Sequence, residues 1–303
     1  MVLPGDETAF PQQAEPFRRE LLAHCYRMLG AVDAAEDAVQ ETFLRAWRGF
    51  GTFRGDSSLR TWLYRIATNV ALSMLEQQRA RRWLPSGLGP PLDDPEASPS
   101  PDQDLLWIAP IPDELVGARE DLRLALIAAL QALPARQRAV LLLREVAGLG
   151  ADEVADALGM TTAAVKSALQ RARATLDALR PTADQIVPPN SPAAREMLAR
   201  YIAAFETSDL TQLEQVLRDD AAIELVPARG WFAGRGTCLR YLARVLDAPG
   251  SWQMTPTSGN GQPAAIARHR GALFGIGMLD VTPTGIIRII AFADRHAAAR
   301  WRQ

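Results

Sequence analysis

The stretch Glu145–Leu176 reads EVAGLGADEVADALGMTTAAVKSALQRARATL, and it decides the fold of the segment around it. Apolar residues recur at helical spacing on both sides of Gly159. They are Val154, Ala155 and Leu158 before it, and Val165, Leu169, Ala172 and Leu176 after it. Gly159 suits a sharp turn, and Thr161 suits the cap of the second helix. A short helix, a glycine turn and a longer helix form the helix-turn-helix pattern.

The outward face of the second helix carries small, polar and basic side chains. They are Thr162, Ala163, Lys166, Ser167, Gln170, Arg171 and Arg173. Small residues at the start of the helix let its backbone approach base edges. Lys166 and Gln170 can reach bases or phosphates, whereas the arginines suit phosphates. The pattern predicts a helix that binds the DNA major groove; a helical bundle with a solvated basic face is the alternative.

Helical periodicity continues on the N-terminal side of this motif. Residues 119–180 are predicted to be all-α, and residues 15–82 show the same period. Helices are predicted over 17–29, 33–47 and 58–82. The helix over 33–47 has an apolar stripe of Val39, Phe43, Ala46 and Trp47. Its opposite face carries Asp37, Gln40, Glu41, Leu44 and Arg48.

The helix predicted over 58–82 mixes cations with aromatic rings. These side chains are Arg60, Trp62, Tyr64 and Arg65, with Arg79, Arg81 and Arg82 further along. Five arginines and Glu76 give residues 60–82 a charge of +4. Aromatic rings stack on unpaired bases while arginines hold phosphates, so the helix suits strand opening. Periodicity assigns Leu63 and Ile66 to the core, and Trp62 fits the core equally well.

Residues 83–118 form a proline-rich linker. Its seven acidic residues and its lack of Lys and Arg give it a charge of −7. A disordered spacer is one interpretation. A segment held in place at Trp107 is the other, because a free spacer gains nothing from exposing an indole. A second linker is predicted over residues 181–192.

Composition sets the outer limits. The chain has 303 residues, which suggests two or three domains, and its 48% hydrophobic content excludes global disorder. The net charge of −2 excludes a uniformly basic coat for nucleic acid. Two distant cysteines, Cys25 and Cys238, exclude a disulfide scaffold and a cysteine-rich zinc site. The sequence shows no signal peptide and no apolar run that could span a membrane, so a cytoplasmic protein is expected.

Residues 193–303 change from helical to strand periodicity. Helices are predicted over 193–205, 210–217 and 237–246. Strands are predicted over 222–226, 251–257, 264–270, 273–282 and 286–292. Helices followed by mostly antiparallel strands indicate an α+β domain.

Three blocks of the helical part resemble bacterial sigma factors, specifically the extracytoplasmic-function (ECF) group of the sigma-70 family. They are Ala34–Trp47 (AAEDAVQETFLRAW), Ser58–Asn69 (SLRTWLYRIATN) and Leu133–Leu143 (LPARQRAVLLL). The resemblance implies sigma region 2 over residues 15–82 and region 4 over residues 119–180. The expected fold class is therefore multidomain, with two all-α sigma domains followed by the α+β domain.

The resemblance also implies partners and residue roles. Region 2 is expected to dock on the RNA polymerase clamp through Asp37, Gln40, Glu41 and Leu44. It would open the −10 DNA with Arg60, Trp62, Tyr64, Arg65 and Asn69. Region 4 would read the −35 element with the outward face of its last helix and bind the polymerase flap, and the acidic linker would thread through the polymerase. No cofactor, no metal and no enzymatic activity are implied.

The C-terminal domain resembles the SnoaL-like cone fold, which some ECF sigma factors carry as an extension. Such a cone usually encloses a pocket, with lining expected from Trp231, Phe232, Trp252, Met254, His269 and Phe292. One hypothesis is regulatory: the domain contacts its own sigma domains or the linker. The sequence does not decide whether its pocket binds a small-molecule ligand. The other is enzymatic, with Asp280, Asp294 or His269 as the acid or base. The regulatory hypothesis is the main one, since fold alone does not establish chemistry.

Overall fold

The computed structural model describes residues 10–78, 81–96, 101–102, 104–116, 122–179 and 186–302. Arg79 and the first half of the second linker, which the sequence analysis singled out, lie outside these residues. The chain forms two compact units. The first comprises Met1–Arg82 and Leu115–Pro181, and the second comprises Trp83–Glu114 and Thr182–Gln303.

The N-terminal part of the first unit is helical. It contains α1 (Phe10–Ala14), α2 (Arg18–Leu29), α3 (Val32–Gly49) and α4 (Leu59–Gln78). Helix α2 ends at Gly30, whose φ of +72° permits the left-handed turn into α3. All residues of α2 from Leu21 to Leu29 are buried, and the helix packs against α3 and α4.

The predicted helix over 58–82 is shorter than expected. Its described part ends at Gln78, and Arg82–Trp83 form a short strand, β1. The carbonyl of Trp83 accepts a hydrogen bond of 3.0 Å from the amide of Ile108. Pairing with a distant segment overrides the helical period there, which periodicity alone does not reveal.

The remainder of the helical part follows the short helix α5 (Asp113–Val116). It contains α6 (Leu124–Ala132), α7 (Ala135–Glu145), α8 (Ala151–Leu158) and α9 (Thr162–Leu179). Gly159 has a φ of +61° and makes the predicted turn between α8 and α9. Val165, Ala168 and Ala172 are the buried residues of α9, so Ala168 replaces the predicted Leu169 at the centre of its inner face.

A buried arginine joins the two helical parts of this unit. Arg138 on α7 is only 4% exposed, and its guanidinium donates to the carbonyl of Met28 in the last turn of α2. It also donates to the side-chain oxygen of Gln131, at 2.6 Å. Gln131 in turn donates to the carbonyl of Arg27, at 3.2 Å. These carbonyls lack partners within their own helix, and a cation is favourable at a helix C-terminus.

The C-terminal part of the second unit is an α+β domain. Helices α10 (Pro192–Glu206), α11 (Leu210–Val216) and α12 (Arg235–Val245) accompany a six-stranded sheet, and α13 (Arg295–Ala299) follows the last strand. After β2 (Leu106–Trp107), the strands are β3 (Leu217–Val226), β4 (Trp231–Ala233), β5 (Trp252–Gly259), β6 (Gln262–His269), β7 (Ala272–Thr282) and β8 (Gly285–Phe292).

The strand order is β4-β3-β8-β7-β6-β5. Strands β3 and β8 pair in parallel, and the other neighbours pair antiparallel. The parallel pair arises because the chain leaves the sheet after β4 for α12 and re-enters at the far edge. Five of these strands follow the period predicted from the sequence, whereas β4, with three residues, is too short to show a period.

The two faces of the sheet are covered by different segments. Helices α10, α11 and α12 share a core with one face, to which β3 contributes Ala221 and Ile223. Glu224 points to the other face, since neighbours in a strand alternate. Its carboxylate accepts a hydrogen bond of 2.9 Å from the amide of Ser86 in the linker. The linker therefore belongs to the layer that covers this second face.

Removing Arg138 should destabilise the first unit. Arg138→Ala leaves the buried carbonyl of Met28 and the side-chain oxygen of Gln131 without this donor, at a cost of at least about 2 kcal/mol in the free energy of unfolding. Arg136→Ala, two residues earlier on an exposed position of α7, should change it by less than about 0.5 kcal/mol. Urea unfolding measures both, and equal midpoints for the two variants would contradict this role of Arg138.

Candidate functional site

The outward face of α9 has the exposure that the sequence predicts. Ala163, Lys166, Ser167, Gln170, Arg171 and Arg173 are exposed, and Thr162 is half-buried. Lys166, Gln170 and Arg173 lie together on a shallow depression of about 440 Å³, which Leu169, Ala174 and Asp177 complete. The buried residues of α9 fix this orientation, so the helix presents one polar and basic stripe to solvent.

Two carboxylates that the sequence pattern does not predict contact this stripe. Glu145, the last residue of α7, accepts a hydrogen bond and forms an ion pair with the guanidinium of Arg173. Asp152 on α8 accepts a hydrogen bond of 2.8 Å from the hydroxyl of Thr162. Glu145 lies 28 residues before Arg173, so no local spacing rule reveals this pair.

The outer face of α3 exposes Asp37, Gln40 and Leu44. Glu41 is half-buried and pairs with Arg45 at 2.6 Å, one turn further along. Trp47 was predicted to be part of the apolar inner stripe, and this is wrong, because its side chain is 46% exposed. Trp47 and Leu44, which is 48% exposed, are two large apolar side chains on the outer face.

The five predicted strand-opening residues lie on two sides of α4. Trp62, Arg65 and Asn69 follow one another at intervals of three and four residues, so they share one stripe. Arg65 and Asn69 are exposed, and Trp62 is half-buried beside Phe53, at 5.0 Å between ring centroids. The side-chain amide of Asn69 donates to the carbonyl of Ala157 on α8, at 3.2 Å.

Arg60 and Tyr64 occupy a different side of α4, where they are tied into the protein. The Arg60 guanidinium donates to Glu20, at 2.9 Å, and to the carbonyl of Ala147, at 2.8 Å. It also lies over the ring of Tyr64, which is only 2% exposed. Tyr64 was expected to stack on bases. The structure instead buries its ring in the helical core, because position 64 follows the period of Leu63 and Ala67 inward.

A neutral histidine lies beneath Tyr64. His24 is fully buried, and its Nε2 donates to the hydroxyl of Thr68, at 2.9 Å, because that hydroxyl itself donates to the carbonyl of Tyr64. Nδ1 has no hydrogen-bond partner among the described residues. Burial, with smaller contributions from Arg27 and Arg60, lowers the pKa of His24 from 6.5 to about 3.

The acidic linker is held along the C-terminal domain by backbone hydrogen bonds. The amide of Leu92 donates to the carbonyl of Trp231, and the amide of Asp102 donates to the carbonyl of Pro227, both at 2.8 Å. The amide of Ile111 donates to the side chain of Asn260, at 2.8 Å. Trp107 is half-buried, whereas Ile108 and Ile111 are fully buried, so these two isoleucines anchor the segment more deeply than the predicted tryptophan.

Charged side chains add to this attachment. Arg229 pairs with Asp102, and this hydrogen bond holds the pKa of the Asp102 carboxyl below its usual range. Arg244 on α12 donates to the carbonyl of Pro95, at 2.8 Å. Asp113 accepts a hydrogen bond of 2.8 Å from the amide of Gly261, while burial raises its pKa.

The six residues expected to line a C-terminal pocket do not surround one cavity. Phe232 and Trp252 are packed into the core beneath the helices, and Met254 packs against that core. Phe292 lies three residues after the core residue Ile289, and therefore on the other face of the sheet. Trp231 donates its indole N–H to the carbonyl of Gly89 in the linker, and His269 lies 3.4 Å from Asp247.

The three candidate acid–base residues are separated as well. Asp280 is 3% exposed and accepts a hydrogen bond of 2.8 Å from Gln262. Asp294 caps α13 through the amide of His296, and the ring of His269 packs against Trp252 at a tilt of 33°, with ring centroids 4.5 Å apart. Each of them has a structural role, and they do not converge on a common point. Among the described residues, no group of three or more His, Cys, Asp and Glu is arranged to hold a metal ion.

These features define a multidomain DNA-binding protein, with a helix-turn-helix in one unit and an α+β cone in the other. Residues 14–81 match Sigma-70 region 2, and residues 123–176 match Sigma-70 region 4. The chain is 45% identical to the ECF RNA polymerase sigma factor SigG of Mycobacterium tuberculosis over 309 aligned residues, which cover 96% of this chain and 83% of that protein. It therefore belongs to the ECF sigma factors.

Two further comparisons agree with this assignment. The RNA polymerase sigma-H factor of Pseudomonas aeruginosa is 34% identical over 182 residues, which cover 58% of this chain and 89% of that factor. The crystal structure of the M. tuberculosis ECF sigma factor SigJ superimposes with a TM-score of 0.64 over 94% of this chain and 97% of SigJ, at 24% identity. This similarity shows that both the helical sigma regions and the α+β domain share a fold with SigJ. None of the described helices is long and apolar enough to cross a membrane.

The buried His24 should make the stability of the first unit sensitive to acid. As the pH falls from 6.5 towards 3, His24 becomes protonated in the unfolded chain but stays neutral in the folded chain. The free energy of unfolding should therefore fall by about 1.4 kcal/mol per pH unit from this group. His24→Gln, which keeps a donor for Thr68, should remove this contribution, and the exposed His296→Gln should not. Denaturant unfolding at several pH values measures this pH dependence. The same loss of stability below pH 6.5 in wild type and in His24→Gln would contradict the role of His24.

Proposed function

We propose that this sigma factor binds RNA polymerase through the outer face of α3 and promoter DNA through α4 and α9. Membership of the ECF family gives the chain its general function, which is promoter-specific initiation of transcription. The observation that carries the division of roles is that these three helices expose three separate surfaces of different chemistry. Because it would bind RNA polymerase, we infer that the chain acts in the cytoplasm.

The α3 surface suits a protein partner. It combines Asp37, Gln40 and Glu41 with the exposed side chains of Leu44 and Trp47. Large exposed apolar side chains framed by polar ones are typical of protein interfaces. Tryptophan is also among the residues that contribute most to binding energy. Trp47 therefore joins the predicted set as a contact to the polymerase clamp.

The α9 stripe suits duplex DNA. Ala163 and Ser167 are small enough for close approach, and Lys166 and Gln170 can reach base edges in the major groove. Arg171 and Arg173 are suited to phosphates. We assign this stripe to the −35 element, with Thr162 at the start of the helix.

The α4 stripe suits unpaired bases of the −10 region. Trp62 offers an aromatic face, Arg65 a cation and Asn69 a polar group that can pair with a base. Arg60 and Tyr64 serve instead as support behind this stripe, since Glu20 and the carbonyl of Ala147 already hold Arg60. Asn69 must leave the carbonyl of Ala157 before it can bind DNA.

Substitutions should separate polymerase binding from −35 recognition. Asp37→Ala with Gln40→Ala should weaken the affinity for core polymerase about fivefold or more, because both lie on the α3 surface. Lys166→Ala with Gln170→Ala should leave that affinity unchanged and weaken binding of the assembled holoenzyme to −35 DNA about tenfold or more. Co-purification with core polymerase and DNA binding by the holoenzyme measure the two effects. If both double variants lost the same function, the assignment of surfaces would be wrong.

The C-terminal domain regulates this activity by holding the linker, without chemistry of its own. The support is the row of contacts from Ser86 to Asp113 that attaches the linker to the sheet and to α12. A linker attached along this domain is not free to thread through the polymerase. The candidate acid–base residues do not converge, which favours regulation over catalysis.

Releasing the linker should raise promoter-dependent transcription. Arg229→Ala with Arg244→Ala removes two side-chain contacts to the linker, and we expect about a two- to fivefold higher transcript yield. A protease that cuts at acidic residues should also cleave the linker of this variant faster than that of wild type, because the linker contains seven acidic residues.

The control variant removes two arginines that form no hydrogen bond or ion pair with the described residues of the linker. Arg235 pairs with Asp219, and Arg240 contacts Thr237 within α12. Arg235→Ala with Arg240→Ala makes the same change in charge and should match wild type in both assays. Unchanged transcription and cleavage in Arg229→Ala/Arg244→Ala would contradict the regulatory role.

A further inference from the structure

Arg173 differs from the other cations on the outward face of α9. Its guanidinium is bound to the carboxylate of Glu145, whereas Lys166 and Arg171 form no ion pair with any residue that the structure describes. Both side chains of the pair are accessible, with 57% of Arg173 and 43% of Glu145 exposed. The pair therefore stands on the surface that the proposed function assigns to DNA.

The position of the pair gives it a consequence for DNA binding. Lys166, Gln170 and Arg173 follow one another along a single stripe of the helix and line the same depression. A duplex that approaches Lys166 and Gln170 therefore brings its backbone close to Arg173. A carboxylate and a phosphate offer a guanidinium the same kind of paired oxygen acceptors, so Glu145 occupies the place of a phosphate.

We propose that Glu145 competes with DNA phosphates for Arg173 and thereby lowers the sequence-independent affinity of the free chain for DNA. This inference rests on the proposed function of α9 and extends it to a residue on α7. Glu145 also repels the approaching phosphates, since it carries the same sign of charge. The competition acts in addition to the net charge of the chain, which is −2 and already disfavours binding to DNA. A sigma factor of this kind keeps its DNA affinity low until polymerase supplies further contacts.

The size of the effect follows from the exposure of the pair. Exposed ion pairs contribute little, so releasing Arg173 from Glu145 should raise the affinity for DNA about two- to fivefold. A freed Arg173 that binds one more phosphate should also steepen the dependence of log K on log salt concentration by up to about 0.9. Both effects should be equal for any DNA sequence, because phosphates carry no sequence information.

The test uses the full chain and a DNA duplex of random sequence, with fluorescence anisotropy at several salt concentrations. Glu145→Gln should raise the affinity and steepen the salt dependence as stated. Arg173→Gln should lower the affinity more in the Glu145→Gln background than in wild type, because only the freed arginine reaches a phosphate. Glu15→Gln is the matched control, since Glu15 pairs with Arg18 on another surface and the charge changes equally.

The outcomes separate this inference from the proposed function. If Lys166→Ala fails to weaken DNA binding in the same assay, α9 is not the DNA surface, and both proposals fall. If Lys166→Ala weakens binding and Glu145→Gln raises it no more than Glu15→Gln does, the role of Glu145 is overturned and the DNA surface stands. Equal losses from Arg173→Gln in both backgrounds would also overturn it, because Arg173 would then bind phosphate regardless of Glu145.

Discussion

The first unit depends on one buried contact, the guanidinium of Arg138 against the last turn of α2. Helix ends leave carbonyls without partners, and a buried helix end needs a donor from elsewhere in the chain. Arg138 and Gln131 supply these donors from the second helical part, more than a hundred residues away. Burial and the nearby Arg81 lower the pKa of Arg138 to about 10, so it remains charged at neutral pH. This contact joins the two sigma regions of the unit at the end of α2.

The same packing also holds polar side chains of α4 and α9, the two helices that we propose bind the promoter. Arg60 donates to the carbonyl of Ala147, and Asn69 donates to the carbonyl of Ala157, so α4 touches the helix-turn-helix at two points. Further along, Glu145 occupies Arg173. Some cations of the basic surfaces are therefore already paired within the chain, as Arg60 is with Glu20 and Arg173 with Glu145, whereas Lys166 and Arg171 form no ion pair with a described residue. On the proposed function, Asn69 and Arg173 exchange these partners for DNA when the promoter is bound.

Sequence alone predicted most of the helices, because their apolar residues follow a strong period. Gly159 and the face of α9 were predicted correctly for this reason, as were five of the strands of the sheet. Periodicity failed where a distant segment decides the outcome. Trp47 has the spacing of a core residue, yet the described elements leave it 46% exposed. Arg82 leaves the helical pattern because β1 joins the linker layer.

The candidate sites show the same limit. Lys166, Gln170 and Leu44 could be assigned from their faces, since exposure follows the period of one helix. Tyr64 could not, because Glu20 and His24 come from another helix and enclose it. The lining of a C-terminal pocket could not be predicted either. Phe232 and Phe292 lie on opposite faces of the sheet, and its strand order does not follow from local sequence patterns.

Site-specific photo-cross-linking in a reconstituted promoter complex tests the division of surfaces most directly. A photoreactive side chain is placed in turn at Leu44, Arg65 and Ser167, which are all exposed. We expect position 44 to cross-link to core polymerase, position 65 to the opened −10 strand and position 167 to the −35 duplex. Cross-linking of position 44 to DNA, or of position 167 to polymerase alone, would contradict it.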